Sequence, residues 1–319
     1  MIPLIVIAGP TAVGKSDVAF ELAERLDTEI ISADSMQVYK YFDIGTAKSS
    51  AERRKEIPHH LIDIVNPDED FSAGEFNERA FEIAKELNRK GKIPLVTGGT
   101  GLYIKALIEN LACGIKKDNK IRERIKREFE ARGEKAMYER LRKIDPSAAS
   151  KIHPNDRYRI ERALEVYYSS GKPISEFHRE DKNRSKKQEA KGKRERFKVS
   201  YFVLNMDRKL LYKRIEERVD GMISAGLLYE TEKILKMGYD KNLKPFQCLG
   251  YLQMIKYLDG EMDFDSAVQE IKKETRRFAK RQLTWFKGVK DAIWIDISET
   301  GDIKETSTQI YRMCHDLQR

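Results

Sequence analysis

Leu4-Ile5-Val6-Ile7-Ala8-Gly9-Pro10-Thr11-Ala12-Val13-Gly14-Lys15-Ser16 begins as an apolar run of strand length and breaks into the pattern G-x-x-x-x-G-K-[ST]. A short continuous apolar run predicts a strand buried on both faces, and glycines after it let the backbone wrap closely around an anion. Consecutive N–H groups and the N-terminus of the next helix favour negative charge there. The lysine reaches terminal phosphates and the serine hydroxyl suits Mg²⁺. The alternative is a glycine-rich strand-to-helix turn with an incidental Lys-Ser. The following residues argue against it, because Val18, Ala19, Leu22, Ala23 and Leu26 form one amphipathic helical stripe. A ligand bearing a diphosphate or triphosphate is therefore expected on Gly9, Pro10, Thr11, Ala12, Val13, Gly14, Lys15 and Ser16, with Ser16 as the metal-facing residue.

Working outward, two more apolar runs end in polar turns. Glu29 to Ala33 leads into Asp34-Ser35-Met36-Gln37, and Ile93 to Thr97 leads into Gly98-Gly99-Thr100-Gly101. Helical stretches separate them, including Ala73 to Lys90 with Phe76, Ala80, Phe81, Ala84 and Leu87 on one stripe. That alternation predicts an α/β fold, a parallel sheet with covering helices whose right-handed crossovers put all three turns at the strands' carboxyl ends. One crevice then collects Lys15, Ser16, Asp34 and Thr100. Residues 59 to 70 read as an irregular connection with a short strand at Leu61 to Val65.

From Cys113 the pattern becomes charged and helical: Ile121 to Arg132, Glu134 to Ile144, and Asp156 to Ser169 capped by Asn155 and stopped at Gly171-Lys172-Pro173. A basic stretch, 179 to 196, has nine Lys and Arg, four Asp and Glu and no large apolar residue, so it reads as a loop. Strand character returns at Phe197 to Leu204. Helices follow from Asp207 through Met222, from Leu228 to Met237, from Tyr251 to Leu258 and from Asp263 to Lys287, then a last strand at Ala292 to Ile297. The expected organisation is an α/β core of residues 1–112 and 197–319, with a helical domain of residues 113–196 inserted in it.

Charge locates a partner. The chain of 319 residues carries a net charge of +9, yet residues 113–196 hold 26 Lys and Arg against 15 Asp and Glu, a local net of +11. The whole positive excess thus lies in the insertion, which suggests a polyanion such as RNA or DNA. No apolar run approaches the roughly 20 residues that span a bilayer, so no membrane is expected and the cytoplasm is the expected location. Cys113, Cys248 and Cys314 are unpatterned and odd in number, which speaks against a disulfide framework or a cysteine zinc site. The pair His59-His60 lacks partners at zinc-ligand spacing.

Within the crevice Asp34 decides the mechanism, and its position allows three roles. A carboxylate ending such a strand binds Mg²⁺ in nucleotide-hydrolysing P-loop proteins; it can instead be a base or hydrogen-bond acceptor facing a second substrate, or a plain turn residue. The Gly98-Gly99-Thr100-Gly101 turn offers N–H groups and a hydroxyl, or simply lets a helix approach a strand. Arg214 and Arg218, four apart on one helix face, suit an anion or solvent.

These blocks, with Asp43-Ile44-Gly45-Thr46-Ala47-Lys48, His59-His60-Leu61-Ile62-Asp63, Gly101-Leu102-Tyr103, His153-Pro154-Asn155-Asp156, Arg162-Ala163-Leu164-Glu165, Gln247-Cys248-Leu249-Gly250-Tyr251 and Arg281-Gln282-Leu283-Thr284-Trp285-Phe286, resemble in order and spacing the tRNA dimethylallyltransferase family of bacteria. The resemblance implies a P-loop NTPase-like fold with an inserted, all-α, basic tRNA-binding domain. It implies that the loop grips dimethylallyl diphosphate with Mg²⁺, and that the prenyl group passes to the exocyclic amine of the adenosine 3′ of the anticodon. Asp34, Thr100, Lys15 and Arg218 would then be catalytic. Contacts to the tRNA anticodon stem-loop would involve Asp34, Ser35, Met36, Gln37, Thr100, Arg122, Tyr158, Arg159, Ile160, Glu161, Arg162, Gln247, Cys248, Leu249, Gly250 and Tyr251. A monomer without zinc is expected. Two other classes fit the P-loop: a kinase of a small molecule or nucleoside, and a nucleic-acid-binding switch protein that holds NTP only as a ligand. A small-molecule kinase has no evident need for the basic insertion, and a switch protein would hydrolyse NTP slowly and modify nothing.

Overall fold

The apolar run at Ile2–Ala8 (β1) is an interior strand of a six-stranded, all-parallel sheet. A computed structural model describes residues 1–111, 118–177, 179–180, 196–298 and 302–318. The other strands are Ile30–Ser32 (β2), His59–His60 (β3), Leu95–Gly98 (β4), Phe197–Asn205 (β5) and Ile293–Asp296 (β6), in the spatial order β3-β2-β4-β1-β5-β6. Successive residues of β1 point to opposite faces, and both faces are covered. Leu4, Val6 and Ala8 enter one core with Phe76, Ala80 and Ala84, while Ile5 and Ile7 enter another with Val18, Leu22, Leu211 and Ile215. This is why β1 is apolar at every position rather than at alternate ones.

The helices are Lys15–Arg25 (α1), Ala51–Glu56 (α2), Ala73–Arg89 (α3), Gly101–Glu109 (α4), Asn119–Ile144 (α5), Pro146–Ala149 (α6), Arg157–Ser170 (α7), Arg208–Ser224 (α8), Leu227–Lys236 (α9), Tyr251–Leu258 (α10), Phe264–Phe286 (α11) and Ile303–Gln318 (α12). A short 3₁₀ turn, Lys244–Gln247, precedes α10. Several starts are written in the sequence. Ser72 and Glu75 form a capping box on α3, and Asp207 accepts from the N–H groups of Lys209 and Leu210 at the head of α8.

The chain forms two compact units, Met1–Asn110 with Arg196–Arg319, and Leu111–Glu195. The second is purely helical among the described residues. Its core joins Ile125, Phe129, Met137 and Leu141 of α5 to Ile160, Ala163 and Leu164 of α7, and α5 breaks at Gly133, whose φ of 76° is not helical.

Three local expectations change. The short strand is His59–His60 rather than Leu61 to Val65, because Leu61 and Asp63 take left-handed backbone (φ 65° and 56°) and interrupt extension. Asp156, not Asn155, caps α7: a turn closed by its N–H on the His153 carbonyl carries the chain one residue further, and its Oδ1 accepts from Arg159 N at 3.1 Å. Helix α12 was not anticipated, since its buried stripe of Ile310 and Cys314 is thin and interrupted by Ser and Thr. The basic stretch lies outside the described residues from 181 to 195, as does Cys113.

Candidate active site

Sheet register places the functional turns in one row. Ala8 pairs with Gly98 and Ser32 with Thr97, so the sheet ends together at Ala8, Ala33 and Gly98. Gly9, Asp34 and Gly99 each stand one residue beyond. The close approach is physical: a Cβ on Gly98 would sit 2.1 Å from the Ala33 carbonyl oxygen. Thr100 N donates to that same oxygen at 3.1 Å, which extends the ladder into the turn.

The loop after β1 is shaped as its residues require. Gly14, at φ 99°, caps α1, and Ala12 holds a left-handed φ of 65° that a non-glycine residue rarely adopts. Lys15 folds back so that Nζ donates to the Pro10 carbonyl at 2.5 Å. Burial lowers its pKa to about 7, with the Arg218 guanidinium acting in the same direction and the Asp34 carboxylate opposing. Arg218 is itself held below the ordinary arginine value by burial, against the pull of Asp34 and Asp17. Arg214, one turn earlier on α8, has Nη2 3.6 Å from the point where a Cβ on Gly14 would lie. Both arginines therefore face the P-loop. Ser16 is exposed at the first turn of α1.

Asp34 and Thr100 organise the opposite side. Asp34 Oδ1 accepts from Met36 N at 2.8 Å and Gln37 N at 3.2 Å, and among the described residues Oδ2 has no hydrogen-bond partner. Thr100 Oγ1 accepts from Ser35 N at 3.0 Å and donates to Ser35 Oγ at 3.4 Å. Gln37 Oε1 accepts from Ser32 Oγ at 3.0 Å, and its Nε2 donates to the Thr46 and Ala47 carbonyls at 3.1 and 3.4 Å.

The stretch Gln247 to Tyr251 divides by burial. Gln247 is exposed and donates to the Lys241 carbonyl at 3.1 Å, Leu249 is half-buried, and Gly250 and Tyr251 are buried. The Cys248 thiol pKa is pushed up by burial and by Asp34. The Tyr251 hydroxyl donates to Glu230 and accepts from Gly45 N at 3.0 Å. Glu230 also accepts from the N–H groups of Asp43 and Ile44, at 3.2 and 3.0 Å. Its side chain thus pins the loop that carries Thr46 and Ala47.

In the helical unit Tyr158 is 69 % exposed and Arg159 is exposed, whereas Ile160 is fully buried and presents no side-chain surface. Glu161 accepts from Arg157 at 2.7 Å. Arg122 and Arg162 converge on the Glu165 carboxylate, which is 2 % exposed, at 3.3 and 2.9 Å.

Sequence reasoning missed Gln282, Glu230 and Glu165 as organising residues. For Gln282 and Glu165 a signal was present: each is a polar side chain inside an otherwise apolar buried stripe, Ala279-Gln282-Phe286 on α11 and Ala163-Leu164-Glu165-Val166 on α7.

A parallel sheet with a loop of P-loop pattern after an interior strand, and cations converging on that loop, defines a P-loop α/β protein. A family model described as IPP transferase matches residues 37–289. The tRNA dimethylallyltransferase of Syntrophobacter fumaroxidans is 46 % identical over 299 residues, 94 % of this chain and 85 % of that one. The tRNA dimethylallyltransferase of Natranaerobius thermophilus is 48 % identical over 301 residues, 93 % and 87 % of the two chains. Among solved structures, the full-length tRNA isopentenylpyrophosphate transferase of Bacillus halodurans superposes with a TM-score of 0.71 at 37 % identity, covering 100 % of this chain and 97 % of that one. A eukaryotic dimethylallyltransferase acting on tRNA gives 0.77 at 29 % identity, covering 97 % and 77 %. The chain belongs to the IPP transferase family.

Proposed function

We propose that this protein transfers the dimethylallyl group of dimethylallyl diphosphate to N6 of the adenosine on the 3′ side of a tRNA anticodon, releasing diphosphate. The observation that carries the reading is the opposition of Lys15 and Arg218 to Asp34 across the ends of β1 and β2. Burial and the neighbouring Arg218 guanidinium both work against the charge on Lys15, and a diphosphate beside them would offset that repulsion. A carboxylate with a hydrogen-bond-free oxygen faces the other side.

In the reaction the adenine N6 attacks C1 of the allylic chain while the C1–O bond breaks. Lys15 and Arg218, with the P-loop N–H groups, stabilise charge that grows on the departing oxygen. Asp34 Oδ2 accepts a hydrogen bond from N6 and takes the proton lost as the C–N bond forms, and Thr100 borders the reacting centre. The target base must leave its stack to reach this row of strand ends.

Mg²⁺ fits the residues present in a limited way. Among the described residues no group of three or more His, Cys, Asp and Glu forms a metal cage, while the exposed Ser16 hydroxyl at the head of α1 supplies a hard oxygen. A Mg²⁺ ion held by Ser16 Oγ, water and the substrate's own oxygens matches that donor set and would neutralise charge on the diphosphate.

The basic helical unit serves as the tRNA-binding domain, with Tyr158 and Arg159 on its surface and Arg122 and Arg162 held in place by Glu165. Ile160 acts through the helix it anchors, and Tyr251 through the Glu230 network. The enzyme acts as a monomer in the cytoplasm. Among the described residues no helix is long and apolar enough to cross a membrane. Phosphoryl transfer, the competing use of a P-loop, draws no support from the relatives' names. Incubation with Mg²⁺, dimethylallyl diphosphate and unmodified tRNA should give a five-carbon mass gain on one adenosine. Phosphate transfer from ATP without prenylation would overturn the proposal.

A further inference from the structure

We infer that Gln282 is a positioning residue that sets the spacing between the leaving-group loop and the acceptor turn. The inference rests on the transfer reaction proposed above. Gln282 lies on α11, remote in sequence from both loops, and is 6 % exposed. Its Oε1 accepts from Thr11 N at 2.8 Å, and its Nε2 donates to the Gly99 carbonyl at 3.0 Å. One planar amide thereby ties the P-loop to the turn that ends in Thr100. The orientation of the amide is fixed by its partners, since a backbone N–H only donates and a carbonyl only accepts.

Two further observations show that the clasp is built in. A Cβ on Gly99 would lie 2.2 Å from Gln282 Nε2, so the glycine clears the space the amide occupies. Ala279 and Phe286 flank Gln282 on the same helix stripe and enter the cores on opposite faces of the sheet, which fixes the helix and hence the reach of the side chain. No other residue type meets both partners. Asn is one methylene short, Glu cannot donate to Gly99, and Met or Leu makes neither bond.

In the proposed reaction the P-loop holds the departing diphosphate while Thr100 and Asp34 meet the acceptor. The length of the clasp is therefore a component of the attack distance. A misplacement of about 1 Å between reacting groups costs on the order of a hundredfold in rate. Removing the clasp should lower kcat and leave ground-state binding of each partner nearly unchanged.

The test compares wild type with Gln282→Met, which preserves side-chain length, in single-turnover transfer and in separate binding of inorganic diphosphate and of tRNA. Expected is a fall in kcat of about 10- to 100-fold, with both affinities within about threefold. Unchanged kcat, or parallel losses in kcat and diphosphate affinity, would overturn the inference, the latter by making Gln282 a support of the P-loop alone. If wild type itself prenylates no tRNA, the reaction reading fails instead. Should Gln282→Met not fold, amide exchange on wild type decides: slow exchange at Thr11, with loop amides at Ala12 and Gly14 faster, supports the clasp, and fast exchange at Thr11 overturns it.

Discussion

Above about pH 7, binding of inorganic diphosphate to the free protein should take up a proton, because burial leaves Lys15 mostly neutral there. Its pKa is about 7 against 10.5 for an ordinary lysine, lowered by burial and then by Arg218, with Asp34 opposing. Diphosphate in the cradle places negative charge beside the ammonium and raises that pKa again. The complex then holds more protons than the free protein, so affinity falls as pH rises above about 7. At pH 8 the free lysine is about nine-tenths neutral, which gives an uptake of about 0.9 proton per diphosphate and about a tenfold loss of affinity per further pH unit. At pH 6 Lys15 contributes almost no uptake. Calorimetry in two buffers of different ionisation enthalpy measures the uptake, and Lys15→Met reports what the ligand's own ionisation contributes. Equal uptake by wild type and Lys15→Met at pH 8 would refute the argument. The stability of the free protein carries the opposite sign. Unfolded Lys15 keeps its proton up to about 10.5 while the folded residue has lost it, so this residue makes stability rise with pH across the same window.

Three further outcomes can be measured. Asp34→Ala should lower turnover by about 10²- to 10⁴-fold with tRNA affinity within about threefold, and Asp34→Asn, which keeps the turn bonds to Met36 and Gln37, should show the same turnover loss; equal losses in turnover and affinity would make Asp34 a binding residue. Glu230→Ala strips the acceptor from Ile44 N, Asp43 N and the Tyr251 hydroxyl, and should cost about 3 kcal/mol in denaturant unfolding, where a loss under about 0.5 kcal/mol would contradict the network. Neutralising the Lys and Arg residues between 179 and 196 should weaken tRNA binding and reduce the slope of log affinity against log salt by about 0.7 to 0.9 for each phosphate contact removed; an unchanged slope would leave that stretch without contact to the backbone.

What was legible in the sequence, and what was not, follows the range of the interactions involved. Lys15, Asp34 and Thr100 lie in or just beyond the turns that follow apolar runs, and parallel topology alone brings the ends of such runs together, so these residues were readable without coordinates. Arg214 and Arg218 were only half readable: helical spacing put them on one face but did not say which face met the P-loop. Gln282 was opaque as a clasp because its two partners are 271 and 183 residues away, and only the docking of α11 on the sheet brings the amide to them. Glu165 illustrates the same limit within the helical unit. The family resemblance placed Arg122 and Arg162 among the tRNA contacts, but nothing in it pointed to the buried carboxylate that holds both.

Under the reaction proposed above, these residues divide into two halves that fold from different parts of the chain. The leaving-group half comes from the turn after β1 and from α8, where Lys15, Arg214 and Arg218 supply positive charge. The acceptor half comes from the turns after β2 and β4, where Ser35 bonds Thr100 and, separately, Gln37 bonds the Thr46 carbonyl in the loop whose neighbouring backbone donates to Glu230. In an NTP-hydrolysing P-loop protein a strand-end carboxylate belongs with the phosphates and their metal. Here one oxygen of Asp34 is committed to its own turn, and in the proposed reaction the other meets the acceptor. In the proposed reaction that arrangement gives the P-loop a different task from phosphoryl donation: it would hold the anion still while the bond to carbon breaks, with the acceptor met by a separately built turn.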